Sequence, residues 1–289
     1  MRLRGPLFAP GDSERKVQKA LASEADGVIL DLEDAVAAVN KEAARAAVAA
    51  LLPTLARPGV MVRVNPPTTE WYLGDLAAVV PGRPAALLLP KCTGPADLLA
   101  LDHHLEALET AAGLPVGGIR VLALVTETAG SLGNLHRYTA PPARLLAFCF
   151  GAEDLSADLG IAPRGADGAL AAPIAAARAT MLAAAAAIGV IALDTPWPDP
   201  RDPDGLRREA AAAAADGFAG KVLIHPAQIE PVHDAFTPAP ERLRWARAVR
   251  DGFAARPDAG TFALDGKMID RPHLKLALRI LEAAGEIGG

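Results

Sequence analysis

The 289-residue sequence is 51% hydrophobic and 22% charged, enough apolar side chain to bury a large core, and its net charge of −5 shows no block of like sign. That balance excludes a nucleic-acid binder, which concentrates basic residues on one surface, and leaves any anionic small molecule to a local basic pocket. Cys92 and Cys149 stand outside any CxxC pair or disulfide framework, so a reducing compartment, the cytoplasm, is expected.

Short Val/Leu/Ile runs at residues 6–9, 27–30, 60–64, 86–89, 120–125, 145–150, 190–193 and 222–224 predict eight strands. They alternate little, as strands buried on both faces do. Helical stretches fill the gaps, with start signals at Asp12-Ser13-Glu14 and Asn40-Lys41-Glu42 and a stop at Gly189. The Ala-rich segments 168–188 and 207–215 read as packed helices. No signal peptide or membrane span is expected, because the most apolar window, 181–193, carries Gly189 and ends at Asp194. Eight sequential βα units predict an α/β fold, a TIM (β/α)8 barrel over residues 1–237. A doubly wound open sheet is the alternative, but the first turn lacks a GxGxxG. Residues 238–289 form a C-terminal helical extension, free to reach elsewhere.

Each run ends on polar residues: Pro10-Gly11-Asp12, Asp31, Arg63, Lys91, Glu127, Asp154, Asp194 and His225. In a parallel barrel these crown the C-terminal rim, where chemistry sits. Glu127 and Asp154 follow the fifth and sixth runs. Neighbouring strands lie about 4.8 Å apart, so the two carboxylates can converge on one hard cation, magnesium being the natural candidate; either could instead cap a helix or be a solvated loop charge.

Arg63 shares strand parity with Met61 and Asn65, which turns it into the barrel mouth. There it serves as a fork for a substrate carboxylate or enolate, or as an ion-pair partner of Asp31 or Glu33. Asp31, Glu33 and Asp34 follow the second run; one of them caps the next helix, and Glu33 or Asp31 orients a water or a neighbouring group. Lys91 reads as a phosphate contact, a partner of that acid cluster or a Schiff-base nucleophile. His225 reads as a hydrogen-bonded barrel residue.

Taken in order, Leu7-Phe8-Ala9-Pro10-Gly11, Asp31-Leu32-Glu33-Asp34-Ala35-Val36, Lys41 with Ala44-Arg45, Val62-Arg63-Val64-Asn65, Leu89-Pro90-Lys91, Glu127-Thr128, Gly151-Ala152-Glu153-Asp154-Leu155, Ile224-His225-Pro226-Ala227-Gln228 and Asp265-Gly266-Lys267-Met268-Ile269-Asp270 span nearly the whole chain. This series resembles the landmarks of the citrate lyase β-subunit-like CoA-ester lyases of the HpcH/HpaI aldolase group. The resemblance implies a barrel assembling as a homotrimer or hexamer, with magnesium on Glu127 and Asp154 and with Arg63 stabilising a carboxylate or enolate. It also implies that the C-terminal arm crosses to a neighbouring subunit and delivers Asp270 over its site, so that Asp270, or a water held by Glu33, moves the proton.

The implied activity is carbon–carbon cleavage of a 3-hydroxyacyl thioester such as malyl-CoA, citramalyl-CoA or a citryl thioester, with CoA as part of the substrate and not a bound cofactor. Lys91 and Gly151 are then expected against substrate, and Arg15 and Lys16, grouped with Arg4 near the first turn, either meet the CoA phosphates or form a solvated face. Citryl-acyl carrier protein as substrate, a CoA-independent metal-dependent pyruvate aldolase and a non-catalytic barrel subunit are the alternatives. Gly5-Pro6, Cys92-Thr93-Gly94 and Thr195-Pro196-Trp197-Pro198-Asp199 depart from the usual pattern and bear on substrate choice.

Overall fold

The computed structural model describes residues 1–287. Among them, eight parallel strands run in sequence order: β1 Pro6–Pro10, β2 Gly27–Asp31, β3 Val60–Arg63, β4 Ala86–Leu89, β5 Arg120–Leu124, β6 Leu145–Cys149, β7 Ile191–Asp194 and β8 Gly220–Lys221. The ring closes between the last and first strands, where Lys221 N–H donates to Arg4 O, Leu223 N–H to Pro6 O and Phe8 N–H to Leu223 O, each at 2.8 Å. The fold is therefore the expected TIM barrel.

The eighth strand is displaced from its expected place at 222–224. Gly220 pairs with Leu193 because it alone can lie against the first strand's approach: a Cβ there would meet Leu3 O at 1.9 Å. By Ile224 the chain has left the sheet, its N–H bonded to the Gln228 side chain.

Helices α1 Glu14–Leu21, α2 Lys41–Leu51, α3 Tyr72–Val79, α4 Pro95–Ala111, α5 Ala129–Leu132, α6 Ala152–Leu159, α7 Ala172–Ile188, α8 Pro203–Asp216 and α9 Ile229–Phe236 pack around the strands. The Ala-rich α7 buries Ile174, Ala177, Met181 and Ala185, a helical spacing that lays one face on the barrel, and it stops at left-handed Gly189. Strand alternation divides the core in two. Ile29, Met61, Leu88, Leu122, Ala147 and Leu193 fill the barrel interior, while Val28, Val62, Leu87, Val121, Phe148 and Ala192 face the helices.

The extension comprises α10 Pro240–Ala254, an antiparallel hairpin of β9 Thr261–Leu264 and β10 Lys267–Asp270, and α11 Arg271–Ala284. It has a core of its own, with Ala246, Val249, Phe253, Ile269, Ala277 and Leu281 packed together apart from the barrel clusters. Met268 and Leu276 lie exposed on it at 67% and 45%. Among the described residues no helix is long and apolar enough to cross a membrane.

Candidate active site

Asp31 ends β2 directly beside Arg63 at the end of β3. Both point inward because they share parity with Ile29 and Met61. Arg63 donates through Nε and Nη2 to the two oxygens of Asp31, both at 2.7 Å. Its Nη1 lies 2.9 Å from Glu33 Oε2, and its plane stacks 4.6 Å above the Phe8 ring. Burial opposes the charges of this pair, yet the fork outweighs it, holding Asp31 below the ordinary carboxylate range and Arg63 above the ordinary guanidinium one. The ion-pair reading of Arg63 is thus realised, while the Asp31 fork leaves the Nη1 side turned away from it.

Asp31 also accepts from the amides of Glu33 and Ala35, which curls the chain so that Glu33 turns back over the mouth. Asp31 thus ties this turn and no helix follows at once, contrary to the expected cap. The main chain is anchored from below: buried Lys41 donates to the carbonyls of Leu32 and Glu33 and to Asn65 Oδ1 at 2.7–2.9 Å. Asn65 is held in turn by Asp75, and Asp75 by Arg45. This supporting chain was missed as such in the sequence; Lys41 and Arg45 one helical turn apart were its visible trace, and Asp75 inside α3 left none.

Lys91 follows β4 in a left-handed backbone conformation with φ of 48°. Its ammonium donates to Glu33 at 2.5 Å and lies 3.4 Å from Asp34 and 3.3 Å from Asp154. Burial opposes this charge, but the bond to Glu33 and the nearby acids hold it above the ordinary lysine range. Of its three expected roles, the contacts present are those of a partner of the acid cluster.

Glu127 stands three residues past β5 and is almost fully buried, with Oε2 accepting the Lys91 amide at 2.5 Å. Gly151 is its seat: a Cβ there would lie 2.6 Å from Glu127 Cγ. Asp154 follows β6 as expected, but from the first turn of α6 and not from the strand end itself, with Gly151 as N-cap. The two carboxylates nevertheless meet electrostatically. Burial first, and the charge of Asp154 second, push the Glu127 carboxyl up to about 8. Among the described residues no group of three or more Asp, Glu, His or Cys converges on a metal position; two carboxylates at an ion would leave places for substrate or water, as suits magnesium.

Other rim candidates fall elsewhere. Asp194 ends β7 with the parity of Ala192, so it faces the helices, bound by Arg178 and by fully buried Lys221. His225 is exposed and accepts the Ala227 amide as a cap; it is hydrogen-bonded as expected, but lies past the barrel strand and not in it. Arg4 does not group with Arg15 and Lys16: it lies before β1, at the opposite barrel end, clamped by Asp26 at 2.7 Å. Arg15 and Lys16 are exposed on α1 and, among the described residues, enter no ion pair. Asp270 caps α11 and pairs with His273 within the arm; among the described residues no rim charge of the same chain touches it.

The sequence matches the model of the HpcH/HpaI aldolase/citrate lyase family over residues 4–226. It is 39% identical over 290 residues to a citrate lyase subunit beta-like protein of Mycobacterium tuberculosis, covering 99% of this chain and 98% of that one. It is 34% identical to the mitochondrial citramalyl-CoA lyase of Rattus norvegicus, covering 98% and 86%. The fold superimposes with a TM-score of 0.75, at 38% identity and 98% coverage of each chain, on the crystal structure of protein CitE from M. tuberculosis in complex with magnesium, acetoacetate and coenzyme A.

Proposed function

The chain belongs to the HpcH/HpaI aldolase/citrate lyase family and is a carbon–carbon lyase of the citrate lyase β type, and from that premise we propose that it uses magnesium to cleave a 3-hydroxyacyl-CoA into an acyl-CoA and a 2-oxo acid. The observation that carries the metal is geometric: a buried Glu127 carboxylate at the rim and Asp154 in the first turn of α6, both touching Lys91. Coenzyme A as carrier is supported by the citramalyl-CoA lyase and by the coenzyme A complex of the similar structure.

Glu127 and Asp154 would hold the ion, whose charge, when bound, polarises the carboxylate and adjacent hydroxyl oxygen of the substrate. Arg63 is held by Asp31 and Phe8, so its charge is fixed at the rim, and its Nη1 side would exchange Glu33 for the developing negative charge. Cleavage passes the proton of the 3-hydroxyl to Asp270 or to a water held by Glu33 as the C2–C3 bond breaks and C3 becomes a carbonyl; the electron pair passes to C2 as the thioester enolate, which takes that proton up. The arm supplies Asp270 for that transfer. It packs on itself, carries exposed Met268 and Leu276, and in a homotrimer or hexamer crosses to the rim of a neighbouring subunit.

The test is a panel of malyl-CoA, citramalyl-CoA and citryl-CoA against the free hydroxy acids, with magnesium and with EDTA. Release of a 2-oxo acid and a shorter acyl-CoA in the magnesium arm alone is the expected result. Turnover of free acids only, or equal rates in EDTA, defeats the assignment.

A further inference from the structure

Lys91 touches both carboxylates of the proposed metal pair, and by different groups. Its amide donates to Glu127 Oε2 at 2.5 Å, and its ammonium lies 3.3 Å from Asp154. The same ammonium binds Glu33 at 2.5 Å and stands 3.4 Å from Asp34. A φ of 48° is uncommon for a non-glycine residue and persists where surrounding contacts over-determine it. Here those contacts are the two directed bonds. The head is a compact point charge on a flexible stem, and the side chain is 34% exposed, so it has room to swing toward solvent.

We propose that Lys91 is the internal counter-cation of the acidic rim: it competes with a divalent ion for Asp154, and so sets how tightly the site holds that ion. The inference rests on the reading of Glu127 and Asp154 as metal ligands. Its physics is the repulsion between an ammonium and a dication sharing one carboxylate. At a separation on the order of 5 Å, even the dielectric of bulk water makes this worth about tenfold in affinity. A lysine that merely braced Glu33 would act in the other sense, because its loss would loosen the site and weaken binding.

The sign of the effect is therefore the test. Magnesium binding by titration calorimetry, and manganese binding by electron paramagnetic resonance, would be measured on wild type, Lys91→Met, Lys91→Arg and Asp154→Asn. Lys91→Met keeps the amide and removes the charge, and is expected to bind the ion about tenfold more tightly; Lys91→Arg is expected to stay close to wild type. Lys91→Gln carries the same expectation as Lys91→Met and replaces it should that variant not fold. A folded Lys91→Met or Lys91→Gln that binds equally or more weakly overturns the proposal while leaving the ligand assignment intact. A wild type that binds no divalent ion, or an Asp154→Asn variant that binds it equally well, overturns the ligand assignment itself.

Discussion

Gly151→Ala isolates the seat of Glu127. The backbone at Gly151 has φ of −106°, ordinary for alanine, so the substitution adds no main-chain strain. What it adds is a carbon 2.6 Å from Glu127 Cγ. Carbon atoms pack best at about 3.5–4.0 Å, so the two must separate by about 1 Å. Glu127 has little room to yield, being buried, with Oε2 tied to the Lys91 amide at 2.5 Å. Overpacking of this kind costs about 1–3 kcal/mol, a fall in Tm of roughly 2–4 °C for each kcal/mol in a chain of this size. Misplacing a catalytic group by about 1 Å costs on the order of a hundredfold in rate. Steady-state kcat/KM on the best CoA ester, with Tm from scanning calorimetry, should therefore show a large kinetic loss beside a modest thermal one. A folded Gly151→Ala enzyme with wild-type kcat/KM would refute the contact as the reason for glycine.

Glu127→Gln and Asp154→Asn should each lower kcat/KM by more than roughly a hundredfold, since even groups supporting a metal ligand are worth 10–100-fold; initial rates over a magnesium titration would show whether excess ion restores them, and it should not. Asp194→Asn should destabilise by roughly 1–3 kcal/mol, because it removes the charge that Arg178 and buried Lys221 share, while Glu209 at 2.6 Å still pairs Lys221. Burial disfavours the Asp194 charge, but Lys221 and Arg178 hold it below the ordinary aspartate range, so its contribution is whole above about pH 4 and is lost as pH falls through the lowered value. Tm profiles should then show the variant less stable at neutral pH and flatter on the acid side. Subunits carrying Asp270→Asn mixed with subunits carrying Glu127→Gln should regain turnover if the arm crosses between subunits; mixed oligomers that stay inactive would sink the crossing.

Most of the barrel was legible because its strands are short apolar runs separated by helix-length gaps, and packing leaves such runs few alternatives. Where reading failed, a close approach decided. Gly220 lies outside the expected eighth run at 222–224, yet its missing side chain admits the Leu3 carbonyl and draws the strand two residues earlier. No periodicity reports such a contact, since it depends on a segment more than two hundred residues away.

The rim was legible exactly as far as strand parity extends. Asp31 and Arg63 are the last paired residues of β2 and β3, so alternation from Ile29 and Met61 turns them inward. Applied to β7, the same rule sends Asp194 outward with Ala192, and so removes it from the chemistry although it too ends an apolar run. Lys91, Glu127 and Asp154 lie past the last paired residues of their strands, where alternation no longer holds. The left-handed turn at Lys91 and the helix start at Gly151 aim these three instead. Their convergence is a property of loops, which is why motif order could name the residues while the sequence could not show that one lysine reaches both carboxylates.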